Sequence, residues 1–174
     1  MTPVSNAEKL VALYQGRLHR YLGRACGETE LARDLTQEVF LRVSRVAIPV
    51  ASENQLAGWL FRIARNVALD HYRQRSRRPE ETLDGVDSAK GASQEMTAAL
   101  NQALSLLPHL DRDVFLLREM SGLSYDEIAT ACELTADAVR NRIHRARVQL
   151  REVLASSLTP LRTSRIRRTA SRYE

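Results

Sequence analysis

Apolar residues recur at three- and four-residue steps over most of this chain, and that spacing lays them along one face of a helix. The pattern predicts three helices, a polar gap, then four more helices, with little that reads as strand. The first helix runs from about Ala7 to Ala25, with Leu10, Tyr14, Leu18, Tyr21 and Ala25 as its stripe and Gly27 as its stop. The second, from about Glu30 to Val46, buries Leu31, Leu35, Val39, Arg42–Val43 and Val46. Its other side carries Asp34, Gln37 and Leu41, with Phe40 towards the flank. Exposed Leu and Phe beside acidic groups suit a contact surface; periodicity alone equally allows them to widen the core stripe. "AIPVASENQLAG" reads as a loop. A third helix from about Gln55 to Gln74 sets Leu56, Leu60, Ile63, Val67 and His71 against Arg62, Arg65, Asn66, Leu69 and Arg73.

Residues 76–95, "SRRPEETLDGVDSAKGASQE", offer almost nothing to bury and read as a flexible linker. Beyond it Met96, Ala99, Leu100, Ala103, Leu104 and Leu107 form a stripe ended by Pro108. Asp111 is expected to cap the next helix, which carries Val114, Phe115 and Leu117 and stops at Gly122. Ser124 and Glu127 form a capping box for a short helix with Ile128 and Ala129 inward. The chain turns through Cys132–Leu134, and Thr135 caps the last helix. The expected architecture is all-α: two small helical domains, 1–75 and 96–155, on a linker at 76–95. A basic, disordered tail is expected at 156–174.

The last helix poses the functional question. About Val139, at roughly 100° per residue, Ile143, Ala146 and Leu150 fall on the core side. Asp137, Asn141, His144, Arg145 and Val148 fall opposite, with Arg140 and Arg147 on a flank. Arg can grip the O6/N7 edge of guanine with two bonds, and Asn the corresponding edge of adenine. A short capped helix, a tight turn and a longer basic helix form a helix-turn-helix, whose second helix enters the major groove.

Composition supports a polyanionic partner. The 174 residues carry a formal net charge of +5, with 44% hydrophobic and 5% aromatic residues. The arginine face of the third helix, with Trp59, Phe61 and Tyr72 interleaved, fits a nucleic-acid surface; a solvated face with its aromatics in the core is the equal alternative. Cys26 and Cys132 stand alone, and His19, His71, His109 and His144 show no metal-ligand spacing. No Ser/His/Asp set or phosphate-cradling glycine loop is present. The sequence therefore predicts no enzyme, metal, cofactor or small-molecule substrate. The start "MTPVSNAEKL" lacks a signal pattern, and no apolar run reaches membrane-spanning length, so no membrane insertion and a cytoplasmic location are expected.

Three stretches in order resemble the extracytoplasmic-function sigma factors of the sigma-70 family. "ARDLTQEVFLRV" is similar to the helix that docks on core RNA polymerase, "WLFRIARNVALDHYRQRSRR" to the promoter-melting helix, and the stretch from Leu107 to Glu152 to the DNA-reading domain. The resemblance implies core contact through Asp34, Gln37, Glu38, Phe40 and Leu41. It implies single-strand recognition of the minus-ten element, with a flipped base held by the loop before the third helix. Asn66 stands at the base-contacting position, and Arg62, Arg65 and Arg73 lie along the same face. Arg140, Asn141, His144 and Arg145 match positions that contact the minus-thirty-five element, with Arg142 and Arg147 for the backbone. An anti-sigma factor is a further partner of the family. Here the turn reads "TADAVR" where the family often has Gly or Ser and then Thr, and Asp137 would repel a nearby phosphate. The alternative is a helix-turn-helix regulator with an N-terminal dimerisation or sensor domain, for which "GLSYDEIA" alone would suffice.

Overall fold

The computed structural model describes residues 3–46, 52–77 and 92–170. Its elements are α1 (Pro3–Cys26), α2 (Thr29–Ser44), α3 (Glu53–Ser76), α4 (Ala92–Ser105), α5 (His109–Ser121), α6 (Tyr125–Cys132) and α7 (Ala136–Ala170). No strand occurs among the described residues. The expected linker falls largely on 78–91, and the loop expected to hold a flipped base on 47–51; both lie outside the described residues.

In the N-terminal half the predicted stripes meet. Leu10, Tyr14, Leu18, Tyr21 and Leu22 of α1 pack with Ala32, Leu35, Val39 and Val43 of α2 and with Leu60, Phe61, Ala64 and Val67 of α3. Gly27 turns the chain at φ +79°, in the left-handed region, and its N–H bonds the Gly23 carbonyl at 2.9 Å. Ser52 caps α3 by accepting from the Gln55 N–H at 3.4 Å. Arg42 spans Glu38 at 2.8 Å and Asp70 at 3.3 Å, pinning α2 to α3. Val46, expected in the stripe, is exposed, because α2 ends before it.

The C-terminal half follows its predicted punctuation. Gly122 closes α5 at φ +64°. Ser124 and Glu127 make both bonds of the capping box, at 3.2 and 2.6 Å. Glu133 makes the turn at φ +57°, and Thr135 accepts from the Ala138 N–H at 3.2 Å. Val139, Ile143, Ala146 and Leu150 are buried against α4, α5 and α6.

Three expectations change. Asp111 is not a cap: α5 starts at His109 behind Pro108, and Asp111 sits in its first turn, buried. Phe61 is fully buried in the core, so it offers no face for stacking. α7 stays helical to Ala170, through the stretch read as an irregular tail.

The halves also pack on each other, α3 against α6 and α1 against α5. Small residues on α3 make this possible. Ala57, Gly58 and Ala64 are buried there along with the larger stripe residues, so α3 is covered on two sides. A one-sided stripe in the sequence hides that second contact.

Candidate nucleic-acid interface

The recognition face of α7 is built from behind. Its apolar stripe holds the helix down, and the capping box and Thr135 fix the angle at which it leaves the turn. Arg140, Asn141, His144, Arg145 and Arg147 are all exposed on one broad face. Arg140 lies 2.7 Å from Asp137 and over the Tyr125 ring at 5.8 Å. The Asp137 charge thus has a local cation one turn on, which answers part of the repulsion the TADAVR turn suggested. An exposed pair of this kind is worth well under about 1 kcal/mol and yields readily to a ligand.

Arg142 behaves differently from its neighbours. Its Nη1 donates to Asp111 Oδ1 at 2.6 Å, with the Asp111 side chain 7% exposed, and Arg145 reaches the same oxygen at 3.4 Å. Arg142 therefore ties α7 to α5 instead of standing free for a phosphate. Arg147 pairs with Glu119 at 2.7 Å.

On α2, Asp34, Gln37 and Leu41 are exposed and Glu38 and Phe40 half-buried. Glu38 is engaged by Arg42. Phe40 and Gln37 line an open groove of about 610 Å³ between α1 and α2, together with Val11, His19, Arg20 and Arg33. The sequence showed the α2 wall of this groove and not the α1 wall, because Val11 and His19 fall off the stripe of α1.

On α3, Asn66 and Arg73 are exposed, Arg73 lying 3.9 Å from Asp70. Arg62 pairs with Glu133 at 2.5 Å. Arg65 is half-buried, and its Nε donates to Asp113 Oδ2 at 2.8 Å. Burial pulls its guanidinium down, but the Asp113 charge and hydrogen bond outweigh this and raise it. Asp111, Asp113 and Glu133 escaped sequence reading. The signal was in "LDRD": two residues along a helix lie about 200° apart, so one aspartate faces α7 and the other faces α3.

Nearby, burial pushes the Cys132 thiol to about 12 and the Cys26 thiol to about 11, so neither is a thiolate at neutral pH. No cluster of His, Cys, Asp and Glu among the described residues is placed to hold a metal ion, and no described helix is long and apolar enough to cross a membrane.

Comparison with known proteins agrees with this arrangement. Residues 10–78 match the family described as sigma-70 region 2, and residues 97–150 match sigma-70, region 4. The chain is 36% identical over 158 residues to the ECF RNA polymerase sigma factor SigE of Mycolicibacterium smegmatis, covering 85% of this chain and 61% of that protein. It is 31% identical over 169 residues to the RNA polymerase sigma-H factor of Pseudomonas aeruginosa, covering 87% and 86%. It thus spans under two thirds of the first relative's length and most of the second's. Its fold is similar to that of the sigma factor RpoE in complex with the anti-sigma factor NepR from Bartonella quintana, with a TM-score of 0.64 and 21% identity over 87% of this chain and 98% of that one.

Proposed function

The chain belongs to the sigma-70 family, in its extracytoplasmic-function branch, and from that premise we propose how its residues share the work of an alternative RNA polymerase sigma factor. The protein binds core RNA polymerase, recognises promoter DNA and initiates transcription. It works in the cytoplasm beside the polymerase and contributes no catalytic residue of its own. The N-terminal half holds the core enzyme through α2 and reads the minus-ten element along α3. The C-terminal half reads the minus-thirty-five element through α7. The observation that carries this reading is the exposed set Arg140, Asn141, His144 and Arg145, presented on a helix whose opposite stripe is fully buried.

The deciding experiment is run-off transcription with bacterial core polymerase and a pool of the organism's upstream DNA. Discrete start sites that depend on the protein are expected. Binding of duplex operators without core, and no transcripts, would instead indicate a stand-alone regulator. An anti-sigma factor is a fitting partner because it would hold the two halves away from polymerase; co-purification from the native host identifies it.

Two variants separate the surfaces. Leu41 is 50% exposed, so Leu41→Asp leaves the fold intact while placing a charge in an apolar contact. A loss of core affinity of about tenfold or more is expected, a typical interface hot-spot effect. Undiminished core binding by the folded variant would remove Leu41 from the interface. Arg145→Ala is expected to cost about 1–3 kcal/mol on the preferred promoter if Arg145 grips a base edge. An equal loss on every DNA sequence would make it a phosphate contact.

A further inference from the structure

The face of α3 assigned to the minus-ten element is not open in this structure. α6 lies against it closer than a side chain would permit. A Cβ added at Gly58 would stand 2.6 Å from the Thr130 Cβ and 2.9 Å from the Glu127 carbonyl oxygen. Real Cβ atoms do not approach so near, and one of the two obstacles is backbone. Further along α3, Arg65 meets Asp113 at 2.8 Å with side chains 20% and 9% exposed, and Arg62 meets Glu133 at 2.5 Å. α1 reinforces the contact. Arg17 Nε donates to the Ser121 carbonyl at 2.7 Å, and Arg20 Nε to the Met120 carbonyl at 3.2 Å. At the far end of α3 the Tyr72 ring stands edge-on to His109 at 5.6 Å, with Arg112 above it at 6.0 Å.

We propose that the protein on its own rests closed, with Asp113 and Glu133 of the C-terminal half standing where promoter phosphates would stand on Arg65 and Arg62, and with Gly58 as the residue that lets the halves meet. The proposal rests on reading α3 as a nucleic-acid surface. A carboxylate and a phosphodiester offer a guanidinium the same thing, anionic oxygens at hydrogen-bonding distance. The Arg65–Asp113 pair carries most of the competition, because it is shielded from water; Arg62–Glu133 is exposed and adds little. DNA binding by α3 then scales with the fraction of molecules that are open. Core polymerase, by binding the two halves apart, shifts that fraction by its difference in affinity for the two states.

Gly58→Leu tests this without changing any charge. The side chain cannot fit between α3 and α6, while the helix gains from losing its glycine. Two quantities are measured on the full chain: the radius of gyration by small-angle X-ray scattering, and the affinity for a fluorescein-labelled mixed-sequence single-stranded DNA at fixed salt. The expected result is a larger radius and binding about tenfold tighter than wild type. A variant as compact as wild type overturns the closed state. Expansion without tighter binding overturns the masking. Adding Arg62→Ala and Arg65→Ala to Gly58→Leu must abolish the gain. If the gain persists, the DNA sits elsewhere, and both the masking and the minus-ten reading of α3 fall, whereas a compact Gly58→Leu leaves that reading standing. Circular dichroism checks folding; should the leucine unfold the protein, Gly58→Ala puts a Cβ against the same atoms and is read in the same way.

Discussion

Replacing Phe61 by alanine is expected to cost about 3–5 kcal/mol of stability, the range for emptying a fully buried aromatic site. The ring is wholly inaccessible. It meets Tyr21 edge-on at 6.1 Å with 71° between the planes, and the Arg17 guanidinium lies 5.7 Å from its centre. Both neighbours would lose contact surface, and the Tyr21 hydroxyl, already buried without a protein partner, would face a cavity. The check is a urea midpoint on the full chain, where a fall in midpoint at unchanged slope measures lost stability. A base-stacking role would give the reverse pattern: near-normal stability and a loss of roughly 1–3 kcal/mol in single-strand affinity. That pattern would place Phe61 outside the core.

Arg142→Ala is expected to destabilise the C-terminal half by about 2–3 kcal/mol. The cause is not the lost attraction alone, since removing the guanidinium strands the Asp111 carboxylate, 7% exposed, without its nearest cation. Breaking a wholly buried pair from one side costs about 3–5 kcal/mol. The figure is lower here because Arg142 is 28% exposed and Arg145 already approaches the same oxygen. Replacing both partners with Arg142→Met and Asp111→Leu should recover much of the loss, because no charge is then left buried. Thermal denaturation of the three variants checks this. If Arg142 held a phosphate instead, its removal would leave stability alone, weaken binding to every DNA sequence and lower the salt slope by about one.

The two predictions concern residues whose type suggested DNA and whose position decided otherwise. On a helical wheel Arg142 is an arginine in a basic helix, and nothing in the helix itself tells it from Arg145. The difference arises on α5, where a carboxylate thirty-one residues earlier comes within 2.6 Å. Phe61 likewise sits beside Arg62 in the sequence, and its burial follows from Tyr21 on another helix.

The amino-acid sequence by itself determined the helices, their stops at Gly27 and Gly122, the capping box at Ser124 and Glu127, and the stripe Val139, Ile143, Ala146 and Leu150 that aims α7 outward. These are local: periodicity and caps act within a few residues, so a single chain displays them. Three motifs in order also revealed the family. What only the tertiary structure decided was the pairing of charges across helices and the closing of one half on the other. Asp113 faces Arg65, and Glu133 faces Arg62, because the small residues on α3 let α6 approach. A missing side chain leaves no periodic signal, and a carboxylate chooses its arginine by distance in space rather than by separation along the chain.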